Sequence, residues 1–169
     1  MFFKKLFGNK TETASNNNNV LVSPATGSLV ALEDVPDPVF AEKMMGDGLA
    51  VDPTEGVIVA PIDAEVLQVF PTKHAIGLKT SSNVEILIHI GLETVSMKGE
   101  GFEAHVKEGD KVKKGDKLIS FDLDLVREKA KSTITPVIIT NGDVVEKLEK
   151  TATSSLVKGE TTYLTITTK

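Results

Sequence analysis

Two strands and a tight turn can be recognised in the stretch Ala75-Ile-Gly-Leu-Lys-Thr-Ser-Ser-Asn-Val-Glu-Ile-Leu-Ile-His-Ile90. Both halves are rich in apolar and β-branched residues, and the Ser81-Ser-Asn83 segment between them is typical of a turn. Alternation along the second half predicts a strand with three isoleucines on one face and Leu87 and His89 on the other. The stretch therefore predicts a β-hairpin that presents one apolar face to a core.

Similar short segments recur on both sides of this hairpin, separated by Pro, Gly, Asn or Asp. They are Val20–Val22, Ser28–Leu32, Val57–Val59, Ala64–Phe70 and Thr161–Thr168. Short strands with frequent turns favour an all-β sandwich or barrel over alternating strands and helices.

Helices are predicted only as short pieces. Leu123, Val126 and Ala130 indicate one, and residues 36–43, ended by Gly46, indicate a single turn. A third helix is predicted from Asp143, because Glu146 three residues later completes a capping box ahead of apolar residues. The fold class is thus mostly β, a single-domain sandwich or barrel with a few short helices.

The sequence contains an imperfect internal repeat, which suggests that a motif within this fold is duplicated. Val22-Ser-Pro-Ala-Thr-Gly-Ser-Leu-Val30 resembles Val59-Ala-Pro-Ile-Asp-Ala-Glu-Val-Leu67, and Ile134-Thr-Pro-Val-Ile-Ile139 is a fainter third copy. The spacing between copies is irregular, so a solenoid is excluded. A duplicated β motif inside one barrel explains the pattern.

Composition excludes several classes of protein. The 169 residues suit one domain, and 40% of them are hydrophobic, enough for a sizeable core. A net charge of −5 with no basic block argues against nucleic acid as a partner. The chain has no cysteine, which excludes disulfides and thiol nucleophiles and fits the reducing cytoplasm.

The first 19 residues are predicted to be a flexible N-terminal segment. The folded domain is expected at 20–169. Residues 11–19 are polar and include four consecutive asparagines, so they cannot bury apolar surface. Residues 1–10 begin with phenylalanines and leucine around two lysines. This pattern allows at most a weak contact with a membrane surface.

The three histidines differ in context. His89 lies inside the apolar second strand, where burial favours a neutral ring with one nitrogen free to attack phosphorus; Gly91 lets a backbone carbonyl approach that ring and select its tautomer. His74 opens the first strand, so the hairpin would place it opposite His89, and Thr72 would orient it through its hydroxyl. From these residues alone, the favoured interpretation is two unrelated histidines. His105, flanked by charged residues, is expected to be a solvated edge residue without a role.

Several ordered motifs resemble one known family. They are Phe70-Pro-Thr-Lys-His-Ala75, Val84-Glu-Ile-Leu-Ile-His-Ile-Gly-Leu-Glu-Thr-Val95, Lys98-Gly-Glu-Gly-Phe102, Ala130-Lys-Ser-Thr-Ile-Thr-Pro-Val137 and residues 34–48. From about residue 20 to the end, the chain is similar to the glucose-type enzyme IIA of the bacterial sugar phosphotransferase system.

This resemblance implies a β-sandwich built from a duplicated motif and a phosphotransferase component that acts in the cytoplasm as a histidine phosphocarrier during sugar transport. Such a carrier accepts a phosphoryl group from phospho-HPr and passes it to the cysteine of a IIB domain. By resemblance, His89 is phosphorylated at Nε2, His74 supports onward transfer, and Thr72 hydrogen-bonds His74. Selectivity for the sugar is expected to reside in the membrane transporter.

The resemblance also implies an apolar docking patch around the histidines, with some members partly in the core. Its matching positions are Val39, Phe40, Met44, Met45, Phe70, Leu87 and Val95. Asp37 and Glu93 match acidic positions near the family's site, although the second is often aspartate in the family, so that the role of Glu93 stays open.

No intrinsic cofactor is expected. Some members of the family hold zinc with the two histidines and a carboxylate from a bound partner, so His74 and His89 are metal ligands only with a partner-supplied ligand. Two nitrogens alone fall short of the four ligands zinc usually takes.

Three other functions are compatible with parts of the sequence. A biotinyl or lipoyl carrier shares Gly-Asp turns, like those at Gly109 and Gly115, but its lysine sits in a Met-Lys-Met hairpin, whereas residues 127–132 here look helical. A zinc hydrolase needs about three protein ligands at suitable spacing, whereas this chain offers only two well-placed histidines, His74 and His89. A regulatory binding module overlaps with the carrier, because phosphorylation state can itself be a signal.

Overall fold

The computed structural model describes residues 18–169. The strands are β1 Asn18–Val22, β2 Gly27–Ala31, β3 Asp47–Pro53, β4 Val57–Val59, β5 Ala64–Val69, β6 Ala75–Lys79, β7 Glu85–His89, β8 Phe102–Ala104, β9 Lys111–Val112, β10 Lys117–Phe121, β11 Thr135–Ile139, β12 Val145–Lys150, β13 Ser155–Leu156 and β14 Thr162–Thr168. The α-helices are α1 Pro38–Ala41 and α2 Leu123–Lys129, and 3₁₀ turns span Leu32–Asp34, Thr94–Met97 and Gly142–Val144.

The fold is mostly β, as predicted. One eight-stranded sheet has the order β13-β2-β3-β11-β7-β6-β5-β9, and two three-stranded sheets have the orders β1-β14-β12 and β4-β10-β8. No helix within residues 18–169 is long and apolar enough to cross a membrane. The predicted membrane contact of residues 1–10 and most of the predicted flexible segment lie outside the described residues. The first strand begins at Asn18, two residues before the expected start of the domain.

One predicted helix is wrong. Asp143 lies inside the 3₁₀ turn Gly142–Val144, which has no side-chain cap, and the residues that follow form β12, which pairs antiparallel with β14. The capping-box pattern is outweighed here because the open edge of β14 offers backbone hydrogen bonds along the whole segment. The helices predicted near Leu123 and within residues 36–43 are confirmed as α2 and α1.

The duplicated motif is visible in the hydrogen bonding. Each of the two clear copies is a strand, a four-residue turn and a second strand, formed by β1–β2 and by β4–β5. The copies bond each other reciprocally: Val22 N–H donates to the Pro61 carbonyl, and Val59 N–H donates to the Pro24 carbonyl, both at 2.9 Å. The faint third copy forms β11 and lacks the turn between strands.

The hairpin predicted between residues 75 and 90 is confirmed as β6 and β7. Its turn is stabilised by the Thr80 hydroxyl, which accepts from the backbone N–H of Ser82 and of Val84, while Asn83 takes a left-handed φ of 67°. The register that results pairs Ala75 with His89. The far end of the hairpin therefore brings the two histidine positions together.

The two faces of the large sheet contact different apolar clusters. Ile86, Ile88 and Ile90 are fully buried in the main core, as the alternation predicted. Leu87 faces a smaller cluster on the opposite side with Leu32, Val35, Phe40, Ala50, Ala75, Leu92 and Ile138. His89 follows Leu87 on that second face, so the smaller cluster forms the base beneath it.

Candidate functional site

The rings of His74 and His89 lie against each other at one end of the hairpin. Their centroids are 4.9 Å apart and their planes are inclined by 79°. The backbone strengthens this pairing, since the N–H of Ile90 donates to the carbonyl of His74 at 2.7 Å. The strand register thus brings the two imidazoles together at the same end of the hairpin, as the sequence predicted.

The tautomer of His89 is determined by a backbone carbonyl. Its Nδ1 lies 2.8 Å from the carbonyl oxygen of Gly91. Because a carbonyl only accepts hydrogen bonds, the proton is on Nδ1 and Nε2 carries a free lone pair. Gly91 reaches this position with a φ of 71°, which favours glycine. A neutral ring with an available Nε2 is a nucleophile.

The surroundings of His89 keep that ring neutral. Burial lowers its pKa below the ordinary histidine value, although the Gly91 hydrogen bond and the carboxylate of Asp37 act in the opposite direction. Asp37 also caps α1, where Oδ1 accepts from the N–H of Val39 at 3.0 Å. Asp37 therefore has both a structural and an electrostatic link to the site.

His74 is held more tightly. It is 5% exposed, its Nδ1 is hydrogen-bonded to the hydroxyl of Thr72, and the ring of Phe70 meets it edge-on at 5.7 Å. Burial, with a smaller contribution from His89, lowers the pKa of His74 to about 4. A tight turn with Lys73 in the left-handed region precedes it, so Thr72 stands next to the ring as expected.

Both histidine rings line a shallow surface depression of about 360 Å³. Its lining consists of Asp37, Val39, Phe40, Met45, Phe70, His74, Leu87, His89 and Glu93. Five of the seven predicted patch residues therefore line it, while Met44 and Val95 do not. Those two are nevertheless among the most exposed large apolar side chains of the described residues, at 69% and 57%.

Two patch members are mainly core residues. Phe40 and Leu87 are 4% and 6% exposed and belong to the smaller apolar cluster. The ring of Phe40 also contacts His89, with centroids 5.1 Å apart. These two residues support the imidazole from below, which agrees with the expectation that Leu87 is partly core, while Val39, Met44, Met45 and Val95 supply the exposed apolar surface.

His105 stands apart from the site. It is exposed on the segment after β8, and its Nε2 is 2.7 Å from the hydroxyl oxygen of Ser120. Sequence reasoning also missed two buried threonines, Thr94 and Thr135, whose hydroxyls bond to the two ends of the peptide group between Ile90 and Gly91. Threonines are common in strands and turns, so nothing in their local sequence distinguishes them.

The donors for a metal are few. Within residues 18–169 no group of three or more His, Cys, Asp or Glu side chains is arranged to hold a metal ion. The histidine pair offers two nitrogens, so a zinc ion there would need its remaining ligands from a partner. A partner-completed zinc site stays a prediction.

Comparisons with known proteins agree with this geometry. Residues 19–145 match the family model described as phosphoenolpyruvate-dependent sugar phosphotransferase system, EIIA 1. The chain is 59% identical over 167 residues to a PTS system glucose-specific EIIA component of Bacillus cereus, covering 99% of each chain. It is also 59% identical over 168 residues to a protein of that name from Halalkalibacterium halodurans, covering 97% of each.

A solved structure shows the same fold. The glucose permease IIA of Mycoplasma capricolum superposes with a TM-score of 0.79 at 36% sequence identity. The match covers 95% of this chain and 99% of that one. The β-sandwich inferred from the sequence is therefore confirmed by both the strand topology and this neighbour.

Proposed function

Because this chain belongs to the EIIA family of the phosphoenolpyruvate-dependent sugar phosphotransferase system, we propose that it carries the phosphoryl group on Nε2 of His89. The observation that carries this proposal is the hydrogen bond from Nδ1 of His89 to the Gly91 carbonyl. It leaves Nε2 as the ring's nucleophilic atom. The lowered pKa of His89, caused by burial, keeps that lone pair free of a proton near neutral pH.

The proposed donor is phospho-HPr and the proposed acceptor is the cysteine of a IIB domain. In the first step the Nε2 lone pair forms a bond to phosphorus while the bond between phosphorus and the donor's leaving atom breaks, and that atom keeps the electron pair. In the second step the acceptor thiolate bonds to phosphorus and the N–P electron pair returns to Nε2. The proton on Nδ1 stays in place throughout, where the Gly91 carbonyl stabilises the positive charge that develops on the ring.

His74 is proposed to steady the phosphoryl group between these steps. When the Thr72 hydroxyl donates to Nδ1 of His74, the ring proton is on Nε2 and is available to a phosphoryl oxygen. The contact between the rings brings His74 close to the phosphorylated nitrogen. Catalysis in such a transfer is mainly positioning and electrostatic stabilisation.

The exposed apolar residues around the depression are the proposed docking surface for both partners. Val39, Met44, Met45 and Val95 are each at least 39% exposed. Methionines are flexible and polarisable, which suits a surface that must accept two different partners. We place the chain in the cytoplasm, where phosphoenolpyruvate, on which the family's system depends, is available.

Intact-mass measurement tests the proposed carrier directly. The wild type, His89→Gln and His74→Gln are incubated with phosphoenolpyruvate, enzyme I and HPr. The wild type and His74→Gln should each gain the mass of one acid-labile phosphoryl group, and His89→Gln should gain none. A wild type that gains no mass, or a His89→Gln variant that gains it, would contradict the proposal.

A further inference from the structure

The peptide group between Ile90 and Gly91 is held from both ends by threonine hydroxyls. The Thr94 hydroxyl donates to the Ile90 carbonyl at 2.6 Å, and the Gly91 N–H donates to the Thr135 hydroxyl oxygen at 3.3 Å. Thr135 in turn donates to the Thr133 carbonyl at 3.0 Å. Both threonine side chains are fully buried. The orientation of this peptide therefore depends on two buried hydroxyls from different segments.

The next peptide group carries the carbonyl that bonds His89. Its N–H, on Leu92, donates to the Ser132 carbonyl at 2.9 Å, and its carbonyl, on Gly91, accepts from Nδ1 of His89 at 2.8 Å. The two peptide groups share only the Cα of Gly91. A rotation of the first therefore changes the φ of Gly91 and moves the carbonyl of the second relative to the imidazole.

We propose that Thr135 and Thr94 are positioning residues for His89: by fixing the peptide before Gly91, they hold the Gly91 carbonyl on Nδ1 of His89. The inference rests on the proposed role of His89 and extends it to two residues that do not contact the imidazole through a hydrogen bond. Thr135 acts across 44 residues of sequence. It ties the loop after β7 to the start of β11.

Removing either hydroxyl leaves a buried backbone group without its partner. In Thr135→Val the Gly91 N–H loses its acceptor, and in Thr94→Val the Ile90 carbonyl loses its donor. A buried polar group without a partner is costly, so the peptide is expected to rotate toward another partner. The Gly91 carbonyl then moves off Nδ1, and the ring is free to place its proton on Nε2, the nitrogen that must attack phosphorus.

The test is the tautomer of His89 in the unphosphorylated protein, read from its ring ¹⁵N chemical shifts at pH 7.5. Thr135→Val and Thr94→Val are compared with Thr135→Ser and Thr94→Ser, which keep the hydroxyl. Thr80→Val is the matched control, because the Thr80 hydroxyl is also buried and also accepts backbone N–H groups, but at the opposite end of the same hairpin. Phosphorylation by HPr is measured on the same samples.

The wild type, the serine variants and Thr80→Val should show a proton on Nδ1 alone. The valine variants should show a mixture of the two tautomers, with phosphorylation slowed by about tenfold to a hundredfold, as expected for a misplaced reacting group. Folded valine variants with the wild-type tautomer would overturn the inference. If one valine variant fails to fold, the other gives the same readout. Because the tautomer is read without phosphorylation, its result is independent of whether His89 is the carrier.

Discussion

The Nδ1 of His89 and the carbonyl oxygen of Gly91 lie 2.8 Å apart and form the hydrogen bond that determines which ring nitrogen is free. The chain makes this contact two residues after the imidazole, through a glycine at a φ of 71°. A strand that ends on a histidine can therefore supply its own tautomer-setting acceptor.

Replacing Gly91 by alanine should disrupt both the fold and the site. A Cβ there would lie 2.8 Å from the Ser132 carbonyl oxygen and 2.7 Å from a methyl carbon of Thr94. Backbone strain alone costs about 1–3 kcal/mol, and these contacts add to it. Urea unfolding and the phosphorylation rate should both show a loss.

Gly109→Ala is the control for that strain. Its φ of 93° is also left-handed, but a Cβ there meets nothing within 4 Å. It should lose stability by the strain alone and keep the wild-type phosphorylation rate. Equal phosphorylation by the two alanine variants would argue against the role of the Gly91 carbonyl.

His74→Gln should separate the two transfer steps. Acceptance of the phosphoryl group at His89 is expected to continue, whereas transfer to the acceptor should slow by roughly a hundredfold or more, since a positioned acid or donor contributes about 10²–10⁴-fold. Thr72→Val should give a smaller loss in the same step, because it removes only the hydrogen bond to Nδ1 of His74. Single-turnover transfer from the phosphorylated chain to a IIB domain measures this. Unchanged transfer by His74→Gln would remove His74 from the mechanism.

The buried His74 should make folding stability dependent on pH. Its pKa falls from 6.5 to about 4 on folding because the ring is buried. The unfolded chain therefore binds more protons between these values. The stabilisation is complete above about pH 6.5 and is lost as the pH falls toward 4, by up to about 3 kcal/mol.

The comparison with His74→Gln isolates this contribution. Carboxylates such as Asp47 also lose stabilisation in acid, and they do so equally in both proteins. Burial acts to raise the pKa of Asp47, but its hydrogen bonds with Lys150 and the Gly48 N–H outweigh burial and lower it. Free energies of unfolding from urea titrations at pH 7 and pH 4.5 should therefore fall less for His74→Gln than for the wild type. An equal fall would show that His74 is not a buried neutral group.

The docking surface can be tested by a single exposed methionine. Met44→Ser should weaken binding of HPr, the proposed donor, by about 1 kcal/mol, a typical interface contribution, without affecting the fold. Val157→Ser is the control, because Val157 is also exposed, at 43%, but follows β13, four strands away from β7 in the large sheet. Calorimetric titration with HPr measures both. Equal affinities for Met44→Ser and Val157→Ser would show that Met44 is not part of the docking surface.

Tyr163 provides a prediction about stability alone. Its side chain is fully buried in the main core, and its hydroxyl has no hydrogen-bond partner within residues 18–169. An unpartnered buried hydroxyl costs about 1–3 kcal/mol, so Tyr163→Phe should be as stable as the wild type or more stable. Thr94→Val, which removes a partnered hydroxyl, should lose stability in the same urea experiment. A clear destabilisation by Tyr163→Phe would indicate a partner for the hydroxyl.

Much of this architecture is predictable from local pattern. The isoleucine alternation in β7 predicts which face is buried, and the turn at Ser81-Ser-Asn83 predicts the pairing of His74 with His89. Both signals act over a few residues, where strand periodicity and turn chemistry dominate. The strand β12 is missed because its residues suit a helix as well, and only the open edge of β14 decides between the two.

The support around His89 is not predictable in the same way. Thr94 and Thr135 come from two separate segments, and each contacts the site only after the sheet has formed. The Thr135 contact joins residues 44 positions apart. Long-range contacts of ordinary residue types leave no pattern in a single sequence. Resemblance to the family identifies the histidines, but the peptide groups that orient them become visible only in three dimensions.

The proposed carrier of the phosphoryl group is Nε2 of His89. The most direct test is to phosphorylate the ¹⁵N-labelled chain with phosphoenolpyruvate, enzyme I and HPr and to locate the ¹⁵N–³¹P coupling by NMR. We expect one coupled nitrogen, Nε2 of His89, with the proton still on Nδ1. A coupling at Nδ1 of His89, or at a nitrogen of His74 or His105, would show that another nitrogen carries the phosphoryl group.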